Sequence, residues 1–217
     1  MLRYDLLIFD WDGTLSDSPA HIVSGMQQAI NDLGLPPRDD QQIAELIGLG
    51  MVESLGRLYP ELDLAQLLRT LADYRRRAAV EVVAAPLYDG AVESLAALSG
   101  TGYRLAVATG RHRDALHVSL AAHSALAALL EITRCADESA DKPDSRILRQ
   151  ILQATGVDTG RALMIGDTEY DIVMAVALGM PALGVSCGVH EAGRLHKAGA
   201  CAVIENVAAL PRWLDAA

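Results

Sequence analysis

The chain has 217 residues, 51% apolar and 21% charged, which excludes a disordered chain and allows a sizeable core in one large domain or two small ones. Its 18 basic and 28 acidic residues give a formal charge of −10, which argues against non-specific binding to nucleic acid or to an anionic membrane surface. An anionic substrate would therefore need a local cation and local basic groups. Cys135, Cys187 and Cys201 are odd in number and lack CxxC spacing, so they read as reduced thiols of a cytoplasmic protein, not as a disulfide frame or a zinc site. No basic region followed by a long apolar stretch opens the sequence, and no stretch approaches the length of a membrane span, so neither a signal peptide nor membrane insertion is expected.

The first strand is predicted over about Tyr4 to Asp10. Its apolar run Leu6-Leu7-Ile8-Phe9 stops abruptly at Asp10-Trp11-Asp12-Gly13-Thr14, as a buried parallel strand ending in a turn does. Ser18 reads as an N-cap with Pro19 at the first helical position. Ile22, Met26, Ala29, Ile30 and Leu33 follow at helical spacing, and Gly34 ends that helix. Asp39 to Leu58 is helical with a break near Gly48-Leu49-Gly50, and a further helix spans about Leu64 to Val82. From Pro86 onward strands and helices alternate. Strands are predicted over Tyr103 to Gly110, Ile132 to Cys135, Arg161 to Gly166, Pro181 to Val185 and Cys201 to Ile204. Helices are predicted over Gly90 to Leu98, Arg113 to Leu130, Ser145 to Thr155, the stretch from Asp167 to Leu178, Glu191 to Lys197 and Val207 to Leu214. This alternation indicates an α/β fold with a parallel sheet and helices on both faces. The helical region after the first strand is an insertion.

Ligands of open parallel sheets bind at the carboxyl ends of the strands. Three apolar strands end there in Asp10 and Asp12, in Thr109, and in Asp167, and the loop residue Lys142 lies between the second and third. Asp10 and Asp12 share one strand face. Two such carboxylates repel unless one is protonated or a cation lies between them, and a hard ion such as Mg²⁺ prefers carboxylate oxygens. Together these residues suit phosphoryl transfer: a carboxylate nucleophile, a metal held by carboxylates, a hydroxyl and an amide for phosphate oxygens, and a cation. Out of context, Lys142 reads as a solvated loop lysine and Asp171 as a carboxylate favoured at a helix N-terminus.

The same constellation resembles the haloacid dehalogenase superfamily. Asp10-Trp11-Asp12-Gly13-Thr14 is similar to its first motif, Thr109 after an apolar strand to its second, Lys142-Pro143 to its third, and Gly166-Asp167-Thr168-Glu169-Tyr170-Asp171 to its fourth. The resemblance covers essentially the whole chain. It implies a Rossmann-like core over 1–16 and 85–217 with a helical cap over 17–84, like the caps of phosphoglycolate phosphatase and β-phosphoglucomutase. It further implies an Mg²⁺-dependent phosphatase for a small phosphorylated metabolite, acting as a monomer or homodimer. Asp10 would be the nucleophile, forming an aspartyl-phosphate. Asp12 would serve as acid and then base, and its carbonyl would join Asp10 and Asp167 on the metal. Thr109, Gly110 and Lys142 would hold the phosphoryl group, and Asp171 would act behind them, on metal waters or Lys142.

Two departures from the motifs stand out. Gly110 follows Thr109 where many relatives carry Asn, so Arg111 is expected to reach the substrate instead. Asp141 adds a negative charge beside Lys142. The spacing of His112, His117 and His123 gives no shared helix face and hence no metal site. His21 reads as a helix-surface residue, and Arg75-Arg76-Arg77 as a solvated face. The Gly48-Leu49-Gly50 break resembles a cap loop placed over substrate. A phosphomutase remains the main alternative. A 2-haloacid dehalogenase needs neither the metal nor an acid at Asp12, and a catalytically silent binding module would not need every position filled.

Overall fold

The computed structural model describes residues 2–77, without the side chains of 75–77, and 84–216. The side chains of Arg75-Arg76-Arg77 and the end of the helix expected to Val82 therefore lie outside what is described.

The chain opens with β1 (Leu6–Phe9), followed by α1 (Pro19–Asp32), α2 (Asp40–Ala44), α3 (Met51–Leu58) and α4 (Leu64–Arg77). It continues through α5 (Ala91–Gly100), β2 (Arg104–Thr109), α6 (Arg113–Ala122), α7 (Ser124–Ala127) and β3 (Ile132–Cys135). The remainder is α8 (Arg146–Thr155), β4 (Ala162–Gly166), α9 (Glu169–Val176), β5 (Ala182–Val185), α10 (Ala192–Ala198), β6 (Ala202–Ile204) and α11 (Leu210–Ala216). The strands form one six-stranded sheet in the order β3-β2-β1-β4-β5-β6, and every pairing is parallel. The order reverses at β1. A crevice opens at such a reversal, beyond the carboxyl ends of β1 and β4.

Alternation along the strands builds two cores from one sheet. Leu7 and Phe9, Leu105 and Val107, and Leu163 and Ile165 point to one face, where Leu95, Leu116, Leu126 and Leu210 cover them. Leu6 and Ile8, Ala106 and Ala108, and Ala162 and Met164 point to the other, against Ile147, Ile151, Ile172 and Leu195. The alanines of this second face let α8 and α9 approach closely. Helices α1 to α4 bury a third, separate cluster that includes Ile30, Leu55, Leu58, Tyr59, Leu67 and Leu71. Among the described residues, no helix is long and apolar enough to cross a membrane.

Two local expectations change. The helix expected from Arg113 to Leu130 is broken at His123, whose φ of −119° and ψ of 51° are not helical. A tertiary contact accompanies the break, because the His123 ring Nε2 lies 2.9 Å from the Ala85 carbonyl. Ser18 precedes Pro19 as expected, yet its side chain makes no capping bond. Its hydroxyl donates instead to Asp12 Oδ1 at 2.5 Å. His21 is exposed on α1, as expected.

Candidate active site

Asp10 continues β1 by one residue, its amide donating to the Ile165 carbonyl of β4 at 2.9 Å. That bond holds Asp10 beside the end of β4, where Asp167 follows Gly166. Gly13 turns the chain just after Asp12, with a φ of +76°. A Cβ there would stand 2.2 Å from an Asp167 carboxylate oxygen, so only glycine admits the close approach. Thr14 Oγ1 donates to Asp167 Oδ1 at 3.0 Å, and the Val189 amide donates to Asp167 Oδ2 at 2.9 Å.

Lys142 is fully buried between two carboxylates, with Nζ 2.6 Å from Asp10 Oδ1 and 2.6 Å from Asp171 Oδ1. The solvated loop lysine is thereby excluded. Asp171 caps its own helix, accepting from the Thr168 hydroxyl at 2.7 Å and the Thr168 amide at 3.2 Å. It therefore fills its helix-terminal role and its role at the lysine together. Oxygens of Asp10, Asp167 and Asp171 all lie within 4.8 Å of one another. Three carboxylates face one ammonium. Burial, then the Asp171 charge, pushes the Asp167 carboxyl up to about 7. Burial also raises Asp10 well above the usual carboxylate range, against the opposing pull of Lys142. For Lys142 burial acts downward, and Asp10 and Asp171 outweigh it, so the ammonium is held above its ordinary value. Hard oxygen donors with excess negative charge fit a divalent cation.

Asp12 is placed differently. It lies outside that carboxylate cluster and pairs with Arg111, whose Nε donates to Oδ2 at 2.7 Å and Nη2 to Oδ1 at 2.5 Å. Arg111 Nη1 donates to Ser119 Oγ at 2.9 Å. The expectation that Arg111 contacts substrate thus meets a guanidinium already committed to Asp12 and Ser119. Thr109 is buried at the end of β2, and its hydroxyl accepts from the Arg111 amide at 3.2 Å. Gly110 lies under the Gly48 carbonyl of the α2–α3 loop, where a Cβ would stand 3.2 Å from that oxygen.

These groups border a cavity of about 910 Å³ between the strand ends and the inserted helices, with Asp10, Asp12, Gly110 and Arg111 on its wall. Opposite the cluster, the insertion is tied to the core. Arg194 of α10 pairs with Glu45, which follows α2, and donates to Glu169 at 2.6 Å. Tyr170 donates its hydroxyl to the Glu45 carbonyl at 2.9 Å. His190 is buried behind this tie, accepting from the Glu169 amide at 2.9 Å. Ser119, Val189 and His190 carry no functional signal in the sequence, because the first sits in a helix pattern and the other two in a loop without motif, and Ser18 is visible there only as an N-cap. Thr14 was visible as a hydroxyl beside the acidic turn.

The family described as haloacid dehalogenase-like hydrolase matches residues 7–185, most of the chain and every strand except β6. The chain belongs to that family. A Dickeya dadantii protein named "Probable phosphatase IndB" is 33% identical over 198 residues, covering 89% of this chain and 86% of its own. The plasmid-encoded phosphoglycolate phosphatase of Cupriavidus necator is 32% identical over 222 residues, covering 97% of this chain and 93% of its own. Among solved structures, a hydrolase from Pseudomonas syringae superposes with a TM-score of 0.82 at 26% identity, covering 98% of each chain. This haloacid dehalogenase-like hydrolase thus carries the family's α/β fold, with an acidic triad able to bind a metal.

Proposed function

We propose that the protein is a magnesium-dependent phosphatase of small phosphorylated metabolites that works through an aspartyl-phosphate on Asp10. The observation that carries this reading is Asp10 itself, buried against Lys142 and beside Asp167, while bordering the same cavity as Asp12. Lys142 engages Asp10 Oδ1 and leaves Oδ2 as the attacking oxygen. That oxygen forms the bond to phosphorus as the ester oxygen departs. The Asp12 carboxyl gives its proton to the departing oxygen and afterwards, as carboxylate, takes a proton from water. The water attacks phosphorus, and phosphate leaves with Asp10 restored. One group acting in both directions satisfies the rules of proton transfer.

Thr109 and the Gly110 amide are the donors for the transferring group, and Lys142 offsets its charge. The Asp10 and Asp167 carboxylates and the Asp12 carbonyl would hold the metal, which when bound offsets the charge on phosphate and nucleophile. Asp171 fixes Lys142. Helices α1 to α4 serve as a cap that keeps bulk water and macromolecular phosphoesters out. Relatives named phosphoglycolate phosphatase make that ester the reference substrate.

The test is phosphate release from a panel of small phosphate esters, with and without Mg²⁺, for the natural chain and Asp10→Asn. Metal-dependent turnover that Asp10→Asn abolishes is expected. No release from any ester by a folded protein would overturn the reading.

A further inference from the structure

The cavity of about 910 Å³ has two chemically unlike walls. On the sheet side, beyond Asp10, stand Asp12, Arg111, His112, Asp114, Asp137 and Asp141. The inserted side is built from Ile22, Met26, Leu46, Leu49, Met51, Val52 and similar residues, with Ser54 as its one side-chain hydroxyl among the described residues. No described lysine or arginine of α1 to α4 lines it. Arg38 is turned away to the Leu58 carbonyl and Glu61, and Arg57 to Glu53. Val52 is 51% exposed, a large apolar side chain left uncovered at the cavity.

A carboxylate or second phosphate on the alcohol half of a substrate would lose water against this wall and find no donor. Asp114, Asp137 and Asp141 would repel it from the other side. The guanidinium facing the cavity, Arg111, is already bound to Asp12 and Ser119. The volume also exceeds what a two-carbon acid fills, since cavities of roughly 300–1,000 Å³ enclose ligands of drug size. An alkyl or aryl group would leave water here without cost to any charged group.

We infer that the alcohol half of the substrate is uncharged and largely apolar and packs against Met26, Leu46, Leu49 and Val52. The substrate class is the monophosphate of an apolar alcohol, set apart from phosphates of hydroxy acids and from nucleotides. The inference rests on the phosphatase reading above and adds the specificity of its cap.

The experiment compares kcat/KM for n-hexyl phosphate, methyl phosphate and phosphoglycolate with saturating Mg²⁺. All three are esters of simple alcohols, so intrinsic reactivity differs little and the ratio reports on the distal wall. Each methylene withdrawn from water is worth roughly fourfold. The hexyl ester is expected to exceed both others by at least about tenfold. Met26→Lys, which puts a cation on the wall, is expected to cut the hexyl-to-phosphoglycolate ratio about tenfold. Turnover of methyl phosphate with phosphoglycolate equal to or above the hexyl ester overturns the inference and leaves the phosphatase standing. So does a ratio that Met26→Lys leaves unchanged. Failure to hydrolyse any of the three while another ester of the panel is turned over overturns the inference alone, and failure on the whole panel overturns the phosphatase and the inference with it.

Discussion

Arg111 grips both oxygens of the Asp12 carboxylate, at 2.7 Å from Nε and 2.5 Å from Nη2. Ser18 adds a hydroxyl donor at 2.5 Å to one of them. A carboxylate so held is aimed by its partners and accepts on both oxygens. In the proposed mechanism Arg111 is thus a positioning residue for Asp12 as the carboxylate base of the second step. Arg111→Ala is expected to lower kcat by about 10- to 100-fold, the scale of a misplaced catalytic group, with KM little changed. Arg111→Lys keeps the charge but not the fork and restores only part of the loss. A rise in KM at constant kcat would return Arg111 to substrate contact.

Lys142 has no access to water and two carboxylate partners. Removing one member of a buried ion pair strands the other, at a cost of about 3–5 kcal/mol. Lys142→Met is expected to lose activity by more than about 100-fold and to destabilise by an amount on that scale. Urea titration checks the stability, and unchanged stability would show that Asp10 and Asp171 had found other partners. Asp171→Asn, by contrast, keeps the Thr168 cap acceptor and is expected to be milder in stability than in turnover.

The acidic cluster sets a pH dependence with a definite sign. Burial and Asp171 raise Asp167 from 3.8 to about 7, and burial raises Asp10 in the same direction. A carboxyl with a raised folded pKa binds more protons folded than unfolded between the two values. From Asp167, the metal-free protein loses stability as pH climbs from 3.8 to about 7, and Asp10 contributes a loss of the same sign. Lys142, held above its ordinary 10.5, titrates outside that window. Mg²⁺ competes with the same protons. At a hundredfold excess over Kd it adds about 2.7 kcal/mol, several degrees of Tm, at pH 8, and clearly less at pH 5. Thermal melts with Mg²⁺ and with EDTA at both pH values check this. Equal shifts would remove Asp10 and Asp167 as ligands.

The loop between α2 and α3 touches the core through glycines. A Cβ on Gly50 would stand 1.8 Å from Asp141 Cγ, and Gly48 has a φ of +96°. Gly50→Ala therefore has to lift the loop or displace Asp141. A KM increase of about tenfold is expected, in line with roughly 1.4 kcal/mol of lost closure. Gly25→Ala in α1 meets nothing within 4 Å and serves as the control, with KM unchanged and a small gain in helix stability. Equal kinetics in both variants would detach the loop from substrate binding.

The strands were legible because a parallel strand buried on both faces is a continuous apolar run, and chemistry at its end interrupts that run visibly. Asp10, Thr109 and Asp167 all announce themselves this way. Lys142 was legible only in company with them, since a lysine in a loop is ordinarily solvated. Ser18 takes the N-cap position that a serine before proline announces, while the choice of Asp12 as its side-chain partner depends on how β1 turns into α1. The contact of Arg111 with Asp12 was hidden for a similar reason: their distance along the chain conceals a contact that β1–β2 pairing creates. His123 broke a helix whose Ala-rich sequence reads as unbroken, through a bond to Ala85 that no local pattern encodes. His190 and the Val189 amide reach the site from the loop after β5, which has neither periodicity nor motif.

Leu6 of β1 pairs with Arg104 on one side and Ala162 on the other, across the whole of the inserted helices. The strand that leads to Asp10 is therefore made before both of its neighbours and is locked in place only after they follow. The helices in between can gather around Leu55 and Tyr59 while β1 still waits for its neighbours. Such long-range pairing slows folding, because the loop must close before any contact rewards it. It also means that a nascent or truncated chain ending before β4 carries Asp10 without Asp167 and Asp171, the other two carboxylates of its cluster. The acidic cluster is thus complete only when β4 closes the centre of the sheet.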